Sequence, residues 1–456
     1  MSVAKKVYIY LPTFIQNCGV SIYGAYQNKQ RFGKIYKDEM KRLNELNYSD
    51  LETQKKIQEQ RFLELLEFAV SKSHFYKNFY KNIDINAIRG ISDLDKLPIL
   101  EKEILRKNIN DFYTIPIHKG IKMFTGGTTG KSLEVVFTKE DMQKRYAYLH
   151  TWEKKHGILP DMKRATFSGR QILNKNKETK IFWRYNKSRN QMLYSTFDML
   201  RENLPYYVES LNEFKPEVIN GFVSSIYDLA LFIKENDCKL TFTPKVVFTT
   251  SETLLPYQKR EIENVFTCPV RNQYGSSEGA PFITECKEGK LHYNIDTGII
   301  EEYQTDYGTE MLVTSFTTHG TPLIRYRIGD MWKLSHETCN CGSCHPIVSF
   351  IEGRQVDFLY AIDGSKVSLS HLADVIKGFP NSIVNMQFWQ NDINAIEIHL
   401  VIDKEKFNRD KGESEIIKQM KYRFGNDIRI SFIYVDMIPK EKSGKYALIK
   451  NNVLKK

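Results

Sequence analysis

Residues 53–80 carry the strongest helical signal in the chain. Ile57, Phe62, Leu65, Leu66, Phe68 and Ala69 recur at a 3.6-residue period, so one stripe is built to face a core. A second helix is predicted over roughly 139–155. The pattern then changes. Residues 246–250 form a short β-branched apolar run, 258–265 reads as a helix, and 269–274 returns to a strand that ends at Gly275. Strand, helix and strand in that order predict parallel α/β topology, in which ligands sit beyond the carboxyl ends of the strands. Residues 311–332 are strand-like, with Gly and Pro turns. Beyond Gly353 and Arg354 come a helix over 371–378, strands over 384–389 and 395–402, a helix over 414–424 and a strand over 428–435. Together these make an α+β unit of roughly a hundred residues. We place a domain boundary there, dividing the chain into residues 1–353 and 354–456.

Composition narrows this picture. A chain of 456 residues exceeds the size of a single hydrophobic core, and 41% hydrophobic with 12% aromatic residues is ample for packing. The 66 Lys and Arg outnumber the 55 Asp and Glu, a formal charge of +11, but the excess is spread along the chain. Its clearest local cluster is Lys440, Lys442 and Lys445. A dispersed excess favours a positive pocket for a polyanion over a nucleic-acid surface. Seven cysteines are an odd count, and the apolar run 7–12 is too short for a signal sequence or a membrane span. A reducing cytoplasm is the expected setting.

Several short motifs bear chemistry. Thr125, Gly126, Gly127, Thr128, Thr129, Gly130 and Lys131 offer small residues, successive N–H groups, hydroxyls and one lysine, which suits a phosphate chain. This is not a Walker loop, which needs glycine where Thr125 stands. Tyr274, Gly275, Ser276, Ser277 and Glu278 follow a predicted strand. Gly275 permits a sharp turn, Tyr274 a flat face for a purine, and Glu278 a carboxylate for Mg²⁺. Asp330, just after Gly329, is placed to accept ribose hydroxyls. Lys445 lies in a Gly-containing loop near the chain end, where it can neutralise charge on a carboxylate and an α-phosphate. Each motif alone also reads as an ordinary turn, ion pair or solvated side chain; their order along one chain is the signal.

Cys339, Cys341 and Cys344 place three thiols within six residues, which in a reducing compartment reads as part of a structural zinc site. Cys286 is the first choice for the fourth ligand. It follows the Glu278 loop, which must lie near the Asp330 segment if both touch one nucleotide. His292 and His345 are the alternatives, and three free surface thiols are the plain reading. Cys18, Cys238 and Cys268 look like core or incidental residues, and the aromatic run 75–80 like packing.

The motif set resembles the adenylate-forming superfamily of acyl-CoA synthetases and ligases, and most resembles the phenylacetate–CoA ligase group with its CapK-like relatives from polysaccharide gene clusters. The likeness spans nearly the whole length, including Asn220 to Ser225 and Thr249 to Leu254. It implies an α/β fold: a large N-terminal adenylation domain with parallel and mixed sheets, and a small mobile C-terminal α+β domain. It implies that residues 125–131 hold the phosphates of ATP, that Ser251 and Glu252 edge the adenine pocket, and that Tyr274 stacks on adenine. Glu278 would bind Mg²⁺, Asp330 the ribose, and Arg354 would lie near the ribose at the hinge. Lys445 would drive adenylation, and Phe222 and Ala280 would touch the acid. The family hinge commonly carries Asp or Lys where this chain has Val356, so transfer to CoA is less secure than adenylation.

The expectation is therefore an ATP- and Mg²⁺-dependent ligase that joins a small carboxylic acid to CoA or an amine, with no nucleic acid and no membrane span involved. Its oligomeric state is open, a homodimer included. A basic, zinc-stabilised nucleic-acid-binding protein would account for the charge and the cysteines but leaves Glu278, Asp330 and Lys445 without roles. An inactive scaffold on this fold is the third reading, suggested by Val356.

Overall fold

A twelve-stranded mixed sheet is the spine of residues 164–352 in the computed structural model. The structure describes Tyr8, residues 10–46, 49–124, 133–169, 180–305, 308–352, 358–364 and 366–368, Leu372, Val375, and residues 382–439 and 447–453. The chain opens with helices α1 (Thr13–Arg31), α2 (Lys34–Leu46), α3 (Leu51–Lys72) and α4 (His74–Phe79), then the short α5 (Lys102–Lys107) and α6 (Ile109–Phe112). An antiparallel pair, β1 (Ile121–Phe124) and β2 (Glu134–Phe137), leads into α7 (Lys139–Lys155). Next come β3 (Arg164–Ser168), β4 (Trp183–Asn186), β5 (Gln191–Ser195), α8 (Leu204–Phe214), β6 (Val218–Phe222), α9 (Val223–Glu235), β7 (Val246–Thr250), α10 (Pro256–Phe266) and β8 (Val270–Tyr274). Strands β9 (Ile283–Glu285), β10 (Leu291–Tyr293), β11 (Gly298–Thr305), β12 (Gly308–Ser315), β13 (Tyr326–Ser335) and β14 (Ile347–Glu352) complete the sheet.

The spatial order is β11-β12-β13-β14-β10-β9-β8-β7-β6-β3-β5-β4. Strands β5, β3, β6, β7 and β8 run parallel, and the pairs from β8 onward to β11 are antiparallel. Val246, Val247, Phe248 and Thr249 are all buried, as expected of a central parallel strand covered on both faces. The predicted helices over 139–155 and 258–265 are α7 and α10, and the predicted strand over 269–274 is β8. The helix expected over 53–80 is in fact two. Ser73 takes an extended conformation after α3, and its Oγ accepts from the Tyr76 amide to start α4. Helix α3 buries Phe62, Leu65, Leu66 and Ala69, and the rings of Phe75 and Phe112 stack at 3.9 Å, so the aromatic run is packing.

Beyond residue 357, β15 (Phe358–Tyr360) pairs with β16 (Lys366–Ser368). A four-stranded sheet of β17 (Ile383–Asp392), β18 (Ala395–Ile402), β19 (Arg429–Tyr434) and β20 (Ile449–Asn451) has the order β19-β18-β17-β20. Helix α11 (Arg409–Phe424), capped by the Asn408 side chain, buries Ile416, Met420 and Phe424 in a core drawn from residues 359–449. The helix predicted over 371–378 lies outside the described residues except for Leu372 and Val375. The proposed boundary at Gly353 and Arg354 also lies outside them.

Helix α7 is fastened at its start by a buried carboxylate. Asp141 accepts from Thr138 N (3.0 Å) and Gly320 N (3.2 Å), and from His319 Nδ1 (2.7 Å), while the Thr138 hydroxyl accepts from Asp141 N (2.9 Å). Burial alone would raise the Asp141 carboxyl, but the hydrogen bonds from His319 and Thr138 outweigh it and hold it below the usual carboxylate range. A depressed folded-state value stabilises the protein above the unfolded carboxyl's range and is lost as pH falls. Asp141→Asn is therefore expected to cost about 2–3 kcal/mol at pH 7, with the deficit shrinking below about pH 4, in denaturation curves measured across pH. A pH-independent deficit would refute the charged role.

Candidate active site and a cysteine–histidine cluster

The carboxyl ends of β6, β7 and β8 feed three loops to one edge of the sheet. After β7, Ser251 is held at φ +71°, a strained conformation for a non-glycine residue. The adjoining Glu252 accepts from Ser224 N (2.7 Å) and Ser224 Oγ (3.0 Å), so it caps the start of α9 from a neighbouring loop. At the end of β8, Tyr274 Oη donates to Asp330 Oδ2 at 2.6 Å. Asp330 stands on β13 behind Gly329, whose φ is +85°. Two motifs far apart in sequence thus meet side chain to side chain.

The loop after β8 is the most closely built part of the site. Ser276 Oγ accepts from Gly279 N (3.2 Å) and Ala280 N (3.1 Å), and Ser315 Oγ donates to Gly279 O (2.6 Å). Gly279 has φ +99°, and a Cβ there would stand 2.5 Å from Thr318 Cγ2 and 2.9 Å from the Phe137 ring. The glycine that the turn requires is therefore Gly279. At Gly275, expected to be the sharp turn, φ is not positive and a Cβ would make only ordinary contact with Phe282.

Two cations unmarked by any motif complete the arrangement. Arg145, on α7, donates from Nη1 to Gly279 O (3.0 Å), Ala280 O (3.3 Å) and Thr317 Oγ1 (2.9 Å), with its guanidinium 4.3 Å from the Phe282 ring centroid. Burial pushes Arg145 down to about 10, so it stays cationic at neutral pH. Glu278 is only 2% exposed, and Lys102 Nζ stands 3.4 Å from its Oε1. Lys102 is positioned because Leu100 bridges to β13, donating to Arg325 O (2.9 Å) and accepting from Arg327 N (3.0 Å). Nothing in local spacing marks Lys102 or Arg145; each matters through a contact made across the fold. Ala280 is buried behind this loop and Phe222 at the end of β6. Residues 125–131, Arg354, Val356 and Lys445 lie outside the described residues.

Away from this edge, Cys286, His292, Cys339 and Cys341 bring their ligand atoms within 4.8 Å of one another. Cys286 Sγ and Cys339 Sγ are 3.7 Å apart, and Cys341 Sγ and His292 Nε2 are 3.5 Å apart. Tetrahedral zinc with ordinary bond lengths would set these spacings at about 3.75 Å and about 3.55 Å. His292 Nδ1 donates to His345 O at 2.8 Å, which leaves the Nε2 lone pair facing the thiols. Burial lowers His292, so its ring is neutral at physiological pH, and burial raises the Cys341 thiol to about 11. Cys344, expected as a ligand, is not one of the four. A turn at Gly342 (φ +85°) follows Cys341, and the tight hairpin 286–290 between β9 and β10 sets His292 beside Cys286 instead.

The fold is that of the AMP-forming, adenylate-forming ligases. It matches 2-hydroxyisobutyryl-CoA ligase in its postadenylation state with a TM-score of 0.71, covering 89% of this chain and 90% of that one at 14% identity. In sequence, the chain is 39% identical over 98% of its length to Protein CapK of Staphylococcus aureus, covering 99% of that protein. It is 22% identical over 85% of its length to phenylacetate-coenzyme A ligase of Thermus thermophilus, covering 94% of that enzyme. A segment of 134 residues, 28% of this chain and 32% of its relative, is 34% identical to indoleacetate–lysine synthetase of Pseudomonas savastanoi. The profile of the CapK C-terminal domain matches residues 359–452. The chain belongs to the CapK-like, phenylacetate–CoA ligase-like group of adenylate-forming ligases.

The Arg145 contacts yield a direct test. Arg145→Met removes the donor from two carbonyls and one hydroxyl, and is expected to destabilise by about 3 kcal/mol in urea unfolding, with Arg145→Lys recovering part of it. A methionine variant within about 0.5 kcal/mol of the parent would show that the loop does not depend on this side chain.

Proposed function

We propose that the chain activates a small carboxylic acid with ATP as an acyl-adenylate and passes the acyl group to CoA or to an amine, in the cytoplasm, during surface-polysaccharide or cell-envelope biosynthesis. The observation that carries the reading is the Tyr274–Asp330 contact at the carboxyl edge of the parallel strands, with the buried Glu278 carboxylate on the same loop as Tyr274. Tyr274 offers its ring to adenine, Asp330 its carboxylate to the ribose, and Ser251 with Glu252 the pocket edge. Residues 125–131 take the phosphates, and Arg354 lies beside the ribose at the junction of residues 1–353 and 354–456. A substrate carboxylate oxygen attacks the α-phosphorus and pyrophosphate leaves; the acid is already ionised at neutral pH, so no protein base is needed. Lys445 neutralises the charge gathered on the carboxylate and the phosphoryl oxygens. Glu278, a buried carboxylate facing a lysine, fits Mg²⁺, which when bound supplies charge neutralisation to the phosphates.

Supported by the geometry of its four donors, the Cys286–His292–Cys339–Cys341 cluster is read as a structural zinc site with no open position. Three thiolates and a neutral imidazole around Zn²⁺ leave one negative charge. Lys155 on α7, attracted by Cys341, Cys344 and Cys286, offsets it. The acceptor has two candidates because the relatives differ in name: one is a coenzyme A ligase and one a lysine synthetase.

Acid-dependent ATP–pyrophosphate exchange across aryl, amino and uronic acids is the decisive assay. Exchange with one acid is expected, Lys445→Ala should abolish it while leaving ATP binding in calorimetry, and near-normal exchange in that variant would remove the assigned role. Elemental analysis is expected to find zinc that disappears in Cys341→Ser and His292→Ala but persists in Cys344→Ser. Retention of zinc by His292→Ala with loss in Cys344→Ser would overturn the assigned donor set.

A further inference from the structure

Helix α1 is inside out. It lies along β4, the edge strand of the twelve-stranded sheet, and the side it packs inward is polar. Asn17 Oδ1 accepts from Tyr185 N (3.0 Å). Ser21 Oγ donates to Tyr185 O (3.4 Å) and accepts from Lys187 N (3.0 Å). Asn28 Nδ2 donates to Ser188 O (3.0 Å), and the fully buried Gln16 accepts from Arg184 Nε at 2.6 Å. These side chains satisfy backbone and guanidinium groups that an open sheet edge would leave unpaired. The helix consequently turns its apolar side to solvent. Phe14, Cys18, Ile22 and Tyr26 form one column at four-residue spacing, with Ile15 beside it. Phe14 is 69% exposed, Ile22 71% and Tyr26 57%, the reverse of what a surface helix normally shows.

The stretch of chain that contains this helix is one-sided in charge. Lys5, Lys6, Lys29, Arg31, Lys34 and Lys37 precede the first acidic residue, Asp38. Of these, Lys29, Lys34 and Lys37 are exposed. A second copy of the chain seated on the face would bring two acid-free basic segments together. The helix, about 28 Å long and about 10 Å wide, also falls well short of the ~800 Å² per partner of a stable dimer. An apolar column with an exposed lysine in its own last turn, Lys29, and two more, Lys34 and Lys37, on the helix that follows matches a bilayer carrying negative headgroups. No described helix is long and apolar enough to cross a membrane, so α1 would lie on the surface rather than span. We propose that the outward face of α1 is an interfacial anchor that docks the protein on an anionic lipid bilayer. Phe14, Ile22 and Tyr26 enter the boundary between headgroups and acyl chains, and Lys29 and Lys34 meet the phosphates. This anchor is independent of the acid and acceptor used by the ligase.

The test sediments the full-length protein with phosphatidylcholine vesicles and with phosphatidylcholine–phosphatidylglycerol vesicles, at low and high salt, alongside light scattering of the protein alone. Binding to the anionic vesicles, weakened by salt, is expected. The double variant Phe14→Ser, Ile22→Ser should melt like the parent and lose about tenfold in partitioning for each residue. Lys29→Glu with Lys34→Glu should remove the preference for anionic lipid. Three results overturn the proposal. One is no sedimentation with the anionic vesicles, and another is equal binding by the double serine variant. The third is a dimer in solution that the same variant converts to monomer, which would assign the face to a second copy.

Discussion

A single buried guanidinium organises the centre of this protein. Arg145 reaches from α7 to the two carbonyls at the end of the Glu278 loop and to the Thr317 hydroxyl, with the ring centroids of Phe282 and Phe137 at 4.3 Å and 5.7 Å. A cation so fully buried is tolerable only where carbonyl dipoles and aromatic faces replace its hydration. The same contacts are what hold the loop still. Gly279 then has no freedom to move, because Ser276, Ser315 and Thr318 close around it. Rigidity of this kind is what a site needs when catalysis consists mainly of positioning and charge placement.

The same economy appears elsewhere along the sheet. At the start of β13, Leu100 inserts beside Tyr326 and thereby delivers Lys102 to Glu278, joining an N-terminal segment to a carboxylate 176 residues later. At the edge strand β4, α1 spends its polar side chains on exposed backbone. Satisfying a sheet edge and burying apolar surface are competing demands on one helix, and here the hydrogen bonds prevail. The apolar residues left outside therefore follow from the position of the strand, and they carry no information about packing within this chain.

The Cys–His cluster shows how a hairpin changes the meaning of spacing. Cys286 and His292 are six residues apart, but β9 and β10 fold back so that both face Cys339 and Cys341. Linear proximity favoured Cys344, three residues from Cys341. The left-handed turn at Gly342 lies between them, and Cys344 is not among the four. The His345 carbonyl, a backbone group with no sequence signature, decides which imidazole nitrogen faces the thiols.

Periodicity and composition alone determined the helices α3, α7 and α10, the strands β7 and β8, and the α+β character of the C-terminal segment. Each is a property of neighbours along the chain: a 3.6-residue stripe or a β-branched run. The break at Ser73 was hidden because a capping serine is silent within an otherwise helical pattern. Only the tertiary structure decided that Tyr274 meets Asp330, that Lys102 faces Glu278, that Arg145 pins the loop, that His292 joins the thiols, and that α1 is turned outward. These depend on which backbone groups and charges meet across the fold, and no local pattern encodes a partner 49 to 176 residues away.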